Sequence, residues 1–295
     1  MIEVQGQRRR AVANPVGVGA FLVIAFGATW LWYSVAIVVL GLSIVNPVVQ
    51  LPMGVAPAVA AMVVRRWITR EGFGDAGLAV RFRESWRWYL GAWLGPVGLA
   101  AAAVGLALII GLWRSDGGLS VVRTVPILLV MVVVLVPVYW GEEFGWTSYL
   151  RPRLFPDRPR RSVLTTGLIW AVWHYPLALL GYINFSNVVL GLAIWTISFI
   201  AQETILAWLY LRSRSVWTAS LAHAGNNMVL SFLAGELLAA QLGDTVLTAV
   251  VAVPLGVVAA WIMLTGRLDR AATAASYVPR PRVTPLSHQP HLLGP

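Results

Sequence analysis

Between Arg10 and Arg65 the chain carries no charged residue at all, a run of 54 positions from 11 to 64. A helix crossing the hydrocarbon core of a bilayer uses about 20 residues, so this run holds two crossings, punctuated by the two prolines of "NPVVQLP" (46 to 52). It is also far longer than the roughly 7 to 15 apolar residues of a cleaved signal peptide, so the first span is expected to be a retained anchor. Composition extends the argument to the whole chain. Of the 295 residues 58% are hydrophobic and 12% charged, with a mean hydropathy of +0.74, whereas soluble domains carry about 25% charged residues. The expected fold is an all-α polytopic transmembrane bundle of about eight helices, a multi-pass protein of the cell membrane. The spans fall near 17–41, 48–64, 88–112, 124–146, 163–182, 188–210, 216–234 and 246–265. A cytoplasmic N-terminal segment (1–15), a membrane domain (16–266) and a disordered, Pro-containing cytoplasmic tail (267–295) are the expected divisions.

The formal charge is +10, and every basic residue is arginine. These arginines occupy short connections between apolar runs rather than one face of a soluble domain, so nucleic acid is not an expected partner. With the N-terminus in the cytoplasm, twenty of the 22 fall in cytoplasmic segments and only Arg114 and Arg123 outside. Both termini are therefore expected to be cytoplasmic. The connection 65–87 interleaves its arginines with Trp67, Phe82, Trp86 and Trp88 and suits a membrane surface. The absence of cysteine excludes disulfides and thiolate chemistry.

Within this frame a few polar residues stand out. Glu142 and Glu143 follow the eighteen uncharged positions 124–141, and a carboxylate at membrane depth costs on the order of 2.5 kcal/mol or more on insertion scales. Counted from the nearest arginines, Glu142 and His223 lie about 13 Å and His174 and Asn227 about 20 Å into the membrane, at about 1.5 Å per helical residue. Both histidines outside the tail thus belong to one slab, which predicts a shared wet pocket. His223 and Asn227, four apart, present two donors on one helix face, as an oxyanion site needs. Asn226 points about 100° away from that face. Adjacent Glu142 and Glu143 cannot face one point, so one is expected in the pocket and the other against a neighbour. A carboxylate in a partly dry site is a competent general acid or base. Glu203 is expected to be a buried partner for a nearby Arg, His or Asn. Tyr182, Asn184, Asn187 and Glu236 read as loop and cap residues.

The segments "EEFGWT" (142 to 147), "WAVWH" (170 to 174) and "HAGNN" (223 to 227) resemble the three motifs of the CPBP membrane proteases, which include the type II CAAX prenyl endopeptidases and the Abi proteins. The resemblance covers about residues 120 to 235. It implies that Glu142 activates water with His174 as its partner, that Glu143 belongs to the same catalytic group, and that His223 and Asn227 bind the oxyanion. Trp170 replaces the commoner Phe, and Thr147 stands where the family has an Arg that neutralises the second Glu. Either a loop arginine, foremost Arg151, substitutes for it or Glu143 is protonated. The family is often labelled metalloprotease. A zinc ion, if present, would be held by Glu142, His174 and His223, but no H-E-x-x-H occurs, and a metal-free glutamate mechanism suits the residues at least as well. The expected function is an intramembrane endopeptidase acting on a membrane-associated, CAAX-type lipidated or other, protein or peptide from the cytoplasmic side. The alternatives are a non-catalytic scaffold or bacteriocin-immunity protein that keeps the polar network, and a proton-coupled transporter, against which the lack of internal repeats argues.

Overall fold

A computed structural model describes residues 14–114 and 118–276. The N-terminal arginines and the last nineteen residues, with the expectations attached to them, lie outside the described residues. Among those described, every regular element is helical. Helix α1 (Pro15–Tyr33) opens on an Asn14 cap whose side chain accepts from the Gly17 amide, with proline at the first turn where its missing N–H is no loss. Helices α2 (Pro47–Val63) and α3 (Phe82–Ile109) follow, then α4 (Val125–Glu143), which runs through a π-helical segment, Phe144–Leu150, into a single turn, α5 (Arg151–Arg153). Next come α6 (Pro159–Leu179), α7 (Val188–Ser213), α8 (Val216–Gly225) with its π-helical extension Asn226–Ser231, α9 (Phe232–Leu264) and α10 (Arg267–Ser276).

Six of these runs are long and apolar enough to cross a membrane, and one of them, Val216–Leu264, is 49 residues long. It is two passes rather than one. At Gly243 the backbone adopts φ 67° and ψ 165°, a conformation open to glycine, and the chain turns back. Asp244 and Thr245 bond to the α6–α7 connection (Asn184 N to Asp244 Oδ2, 2.7 Å; Ser186 N to Thr245 Oγ1, 3.0 Å), whereas Arg160 and Asp269 form an ion pair at 2.6 Å at the opposite end. Helix α6, 21 residues long, runs between the same two ends. The helix ends thus lie on two faces. The first gathers the arginine-bearing connections after α2, α5, α7 and α9; the second carries the connections after α1, α3 and α6 and the Gly243 bend.

The bundle is close-packed where the sequence is small. Gly141 and Gly145 stand four apart on the α4 run, and a Cβ added to Gly141 would come within 3.0 Å of the Gly54 carbonyl carbon, one on Gly145 within 2.8 Å of the Pro57 backbone. Small residues let two backbones approach in lipid, and this approach sets α4 against α2 at the level of Glu142.

One expectation changes. The tail does not lose structure at residue 267: Arg267–Ser276 is a helix that buries Leu268 and Ala271, with Leu268 in one cluster with Val163, Ala207 and Ile262. Its apolar residues recur on one face, which the count of prolines further on obscures. Three arginines of the first face, Arg65, Arg151 and Arg153, are buried; Arg65 and Arg153 meet Glu71 and Asp75 of the connection 69–81. Trp67, Phe82 and Trp86 of that region are exposed, as a surface-lying segment requires.

Candidate active site

The α4 run delivers two carboxylates to different surroundings because successive helical positions diverge by about 100°. Glu142 lines a cavity of about 460 Å³ that it shares with Tyr139, Trp170, His174, His223 and Asn227. Glu143 stands behind that wall. Its Oε1 lies 2.9 Å from His223 Nδ1, and its Oε2 accepts a hydrogen bond from Thr147 Oγ1 at 2.7 Å.

Glu142 is held by the indole of Trp170, whose Nε1 donates to Oε2 at 2.8 Å. That bond fixes the carboxylate, whose Oε2 can accept a second hydrogen bond. His174, one turn beyond Trp170 on α6, places its Nδ1 2.9 Å from the Trp170 carbonyl. A carbonyl only accepts, so Nδ1 carries the proton, and in the neutral ring Nε2 is then the bare nitrogen. Nε2 is 3.9 Å from Glu142 Oε2, too far for a direct hydrogen bond but a span that one water, about 2.8 Å from each atom, bridges. Aromatic rings enclose both histidines: Phe199 stacks on His174 at 4.4 Å, and Tyr139 and Trp170 pack on His223 at 4.9 and 5.2 Å.

His223 and Asn227 reach the same cavity, although the helix widens into its π-helical segment between them, at Asn226. Asn226 is buried and donates from Nδ2 to Gln202 Oε1 at 3.2 Å, so its side chain has a partner on α7.

Thr147 resolves the vacancy left by the motif arginine. Its hydroxyl serves Glu143 and lies 3.3 Å from Glu203 Oε2 as well. The carboxylate nearest Arg151 is that of Glu203, with Nε 4.0 Å from Oε1. The arginine expected to hold Glu143 directly therefore pairs with Glu203, one turn below, and the threonine links the two acids. Thr147, Glu143 and Glu203 are each at most 1% exposed. Glu203 is the buried arginine partner that its position suggested.

Two residues gained roles that the sequence did not disclose. Trp170 was legible only as packing; its position four before His174, on the same face, was the available signal. Tyr182, expected to be a loop residue, lines the outer part of the cavity, since the α6–α7 connection folds over its mouth. Asn187 does cap α7, accepting from Leu190 N at 3.0 Å.

Among the described residues no group of three His, Asp or Glu side chains is arranged to hold an ion; the Nδ1 contacts of His223 with Glu143 and of His174 with a backbone carbonyl leave the Nε2 of each ring free.

No curated protein matches the chain. Residues 123–229 match the family described as type II CAAX prenyl endopeptidase Rce1-like, a range that contains Glu142, His174, His223 and Asn227 and leaves α1 to α3 and α9 outside it. The chain is a multi-pass membrane protein whose segment 123–229 is similar to the Rce1-like type II CAAX prenyl endopeptidases.

Proposed function

We propose that the protein is an intramembrane endopeptidase that hydrolyses a peptide bond of a membrane-associated protein or peptide with Glu142 as the general base. The observation that carries this reading is the placing of Glu142 in a cavity wall with His174 Nε2 3.9 Å from its Oε2. A water bridging these atoms loses a proton to Glu142 as its oxygen bonds to the substrate carbonyl carbon. The oxyanion so formed accepts hydrogen bonds from His223 Nε2–H and the Asn227 carboxamide. The doubly protonated His223 ring donates from Nδ1 to Glu143 and keeps its Nε2–H for the cavity. When the tetrahedral carbon collapses, the carbon–nitrogen bond breaks and Glu142 returns its proton to the leaving amine. His174 positions the water, and Glu143 positions His223. A CAAX-type lipidated substrate is the class that the family's name suggests.

The protease domain in this proposal is residues 16–266, in a cell membrane with both termini cytoplasmic, because the first face of the bundle carries the arginines. The test is turnover by Glu142→Gln. The amide keeps the shape and the bond from Trp170 but cannot take the proton, so cleavage should vanish, in membrane peptides profiled from cells, while the protein folds normally. Near-normal cleavage by this variant would remove Glu142 from the role of base.

A further inference from the structure

Helices α3, α7 and α9 enclose a second hollow, a groove of about 640 Å³ that shares no lining residue with the cavity of Glu142. Gly91, Gly95 and Gly98 of α3 form one wall, buried Leu209 of α7 the floor, and exposed Val253 and Val257 of α9 the other wall. The glycines make the hollow. A Cβ added to any of the three meets no atom within 4 Å, unlike one on Gly141 or Gly145, so no packing inside the bundle calls for them. Glycine is the poorest helix former after proline. Here its smallness opens a space that the chain's own side chains leave unfilled.

One end of this groove is basic and aromatic. Arg87 lines it. Ser85 Oγ donates to the Ser213 carbonyl at 3.2 Å, which ties the start of α3 to the end of α7 and brings Arg212 to the same rim, its guanidinium 4.6 Å from the Trp88 ring centroid. Trp88, Trp208 and Trp261 follow one another edge to face across α3, α7 and α9, with centroids 5.1 and 5.8 Å apart. Arg267 lies over the last of them at 4.0 Å. All three arginines are exposed. The arginine ion pairs among the described residues engage Arg65, Arg81, Arg151, Arg153 and Arg160, so the rim arginines have no carboxylate partner there.

We propose that this groove is the binding site of one anionic phospholipid, its phosphate held by Arg87 and Arg212 and one acyl chain laid along the glycines of α3. A guanidinium meets a phosphate through two parallel hydrogen bonds, tryptophans mark the headgroup level of a bilayer, and basic pockets between membrane helices take acidic headgroups. Beyond the rim the groove suits hydrocarbon alone, since Arg87 is the one charged residue of its described lining. It is also long enough. From Arg87 to Leu106 its wall on α3 covers about 28 Å at about 1.5 Å per residue, more than the roughly 15 Å that a chain needs to cross half of a hydrocarbon core. A second copy of the protein docked symmetrically by this face would set the same unpaired arginines against one another, whereas a phosphate neutralises them. The inference stands apart from the peptidase reading.

The test is lipid binding by the purified full-length protein in detergent, with lipid adducts counted by native mass spectrometry. Dioleoyl-phosphatidylglycerol should fill one saturable site and bind there more tightly than dioleoyl-phosphatidylcholine, which has the same chains and no net charge. Dibutyroyl-phosphatidylglycerol, the same headgroup on short chains, should bind far more weakly. Arg87→Gln and Arg212→Gln should each weaken the dioleoyl-phosphatidylglycerol site about fivefold. Gly95→Leu should fill the groove and abolish the site while the protein folds, since leucine favours the helix and its Cβ meets nothing. Val257→Trp, on the opposite wall where the side chain is 64% exposed, replaces it if that variant fails to fold. Equal affinity for the two dioleoyl lipids, equally tight binding of the short-chain lipid, or a site unchanged by the groove-filling or the arginine variants would each overturn the inference. A wild-type dimer that Gly95→Leu dissociates would overturn it too, because the groove would then hold a second copy.

Discussion

Thr147→Val isolates what replaces the motif arginine. Valine has nearly the shape of threonine, so no cavity opens, and the change removes one hydroxyl that donates to Glu143 Oε2 at 2.7 Å and lies 3.3 Å from Glu203 Oε2. Glu143 keeps its contact with His223 at 2.9 Å, but Oε2 is left without its donor in a fully buried site. A hydrogen bond to a charged group contributes about 1.5–3 kcal/mol, and a stranded buried acceptor costs about as much. We therefore expect a loss of about 1.5–3 kcal/mol, read as a lower thermal midpoint in detergent. Pairing the variant with Glu143→Gln in a double-mutant cycle gives the coupling directly, expected between about 0.5 and 3 kcal/mol for groups in contact. Turnover should fall less than in Glu142→Gln, because Glu143 acts through His223. A thermal midpoint equal to wild type, or a coupling near zero, would show that the hydroxyl does not hold Glu143 and that the motif position is simply empty.

Trp170→Phe installs the commoner family residue and deletes the indole N–H that donates to Glu142 at 2.8 Å; if the bond's 1.5–3 kcal/mol is expressed in the barrier, kcat should drop roughly 10- to 100-fold, and unchanged kcat would deny Trp170 any part in holding the base. Asp75, on the exposed connection, is pushed up by partial burial, but its hydrogen bond from Arg65 and the charges of Arg65 and Arg153 outweigh that and hold its carboxyl below the ordinary 3.8. A depressed folded value stabilises the connection at all pH above that ordinary value and is lost as pH falls through the folded one. Acidification below about pH 4 should therefore raise protease sensitivity within residues 69–81, Asp75→Asn should show it already at neutral pH, and a pH-independent digestion pattern would contradict the clamp.

The sequence by itself determined the solvent, the helices and the slab. Charge-free runs of spanning length leave no other fold class, because their hydropathy is additive along the chain and needs no partner to be read. Glu142, His174 and His223 were legible for a related reason: a polar group costs so much at that depth that its presence alone marks it. The neighbour relations were not legible. That Arg151 meets Glu203 while Thr147 serves Glu143 depends on how α7 packs against the π-helical segment Phe144–Leu150, a meeting of segments more than fifty residues apart. Nor does the sequence reveal which arginines are buried. The arginines of 65–81 and 151–153 are visible in the sequence only as basic connections, and it is tertiary contacts that bury Arg65, Arg151 and Arg153 and draw the connection across one face. Periodicity and cost per residue are local quantities, whereas burial is decided by which distant segments meet.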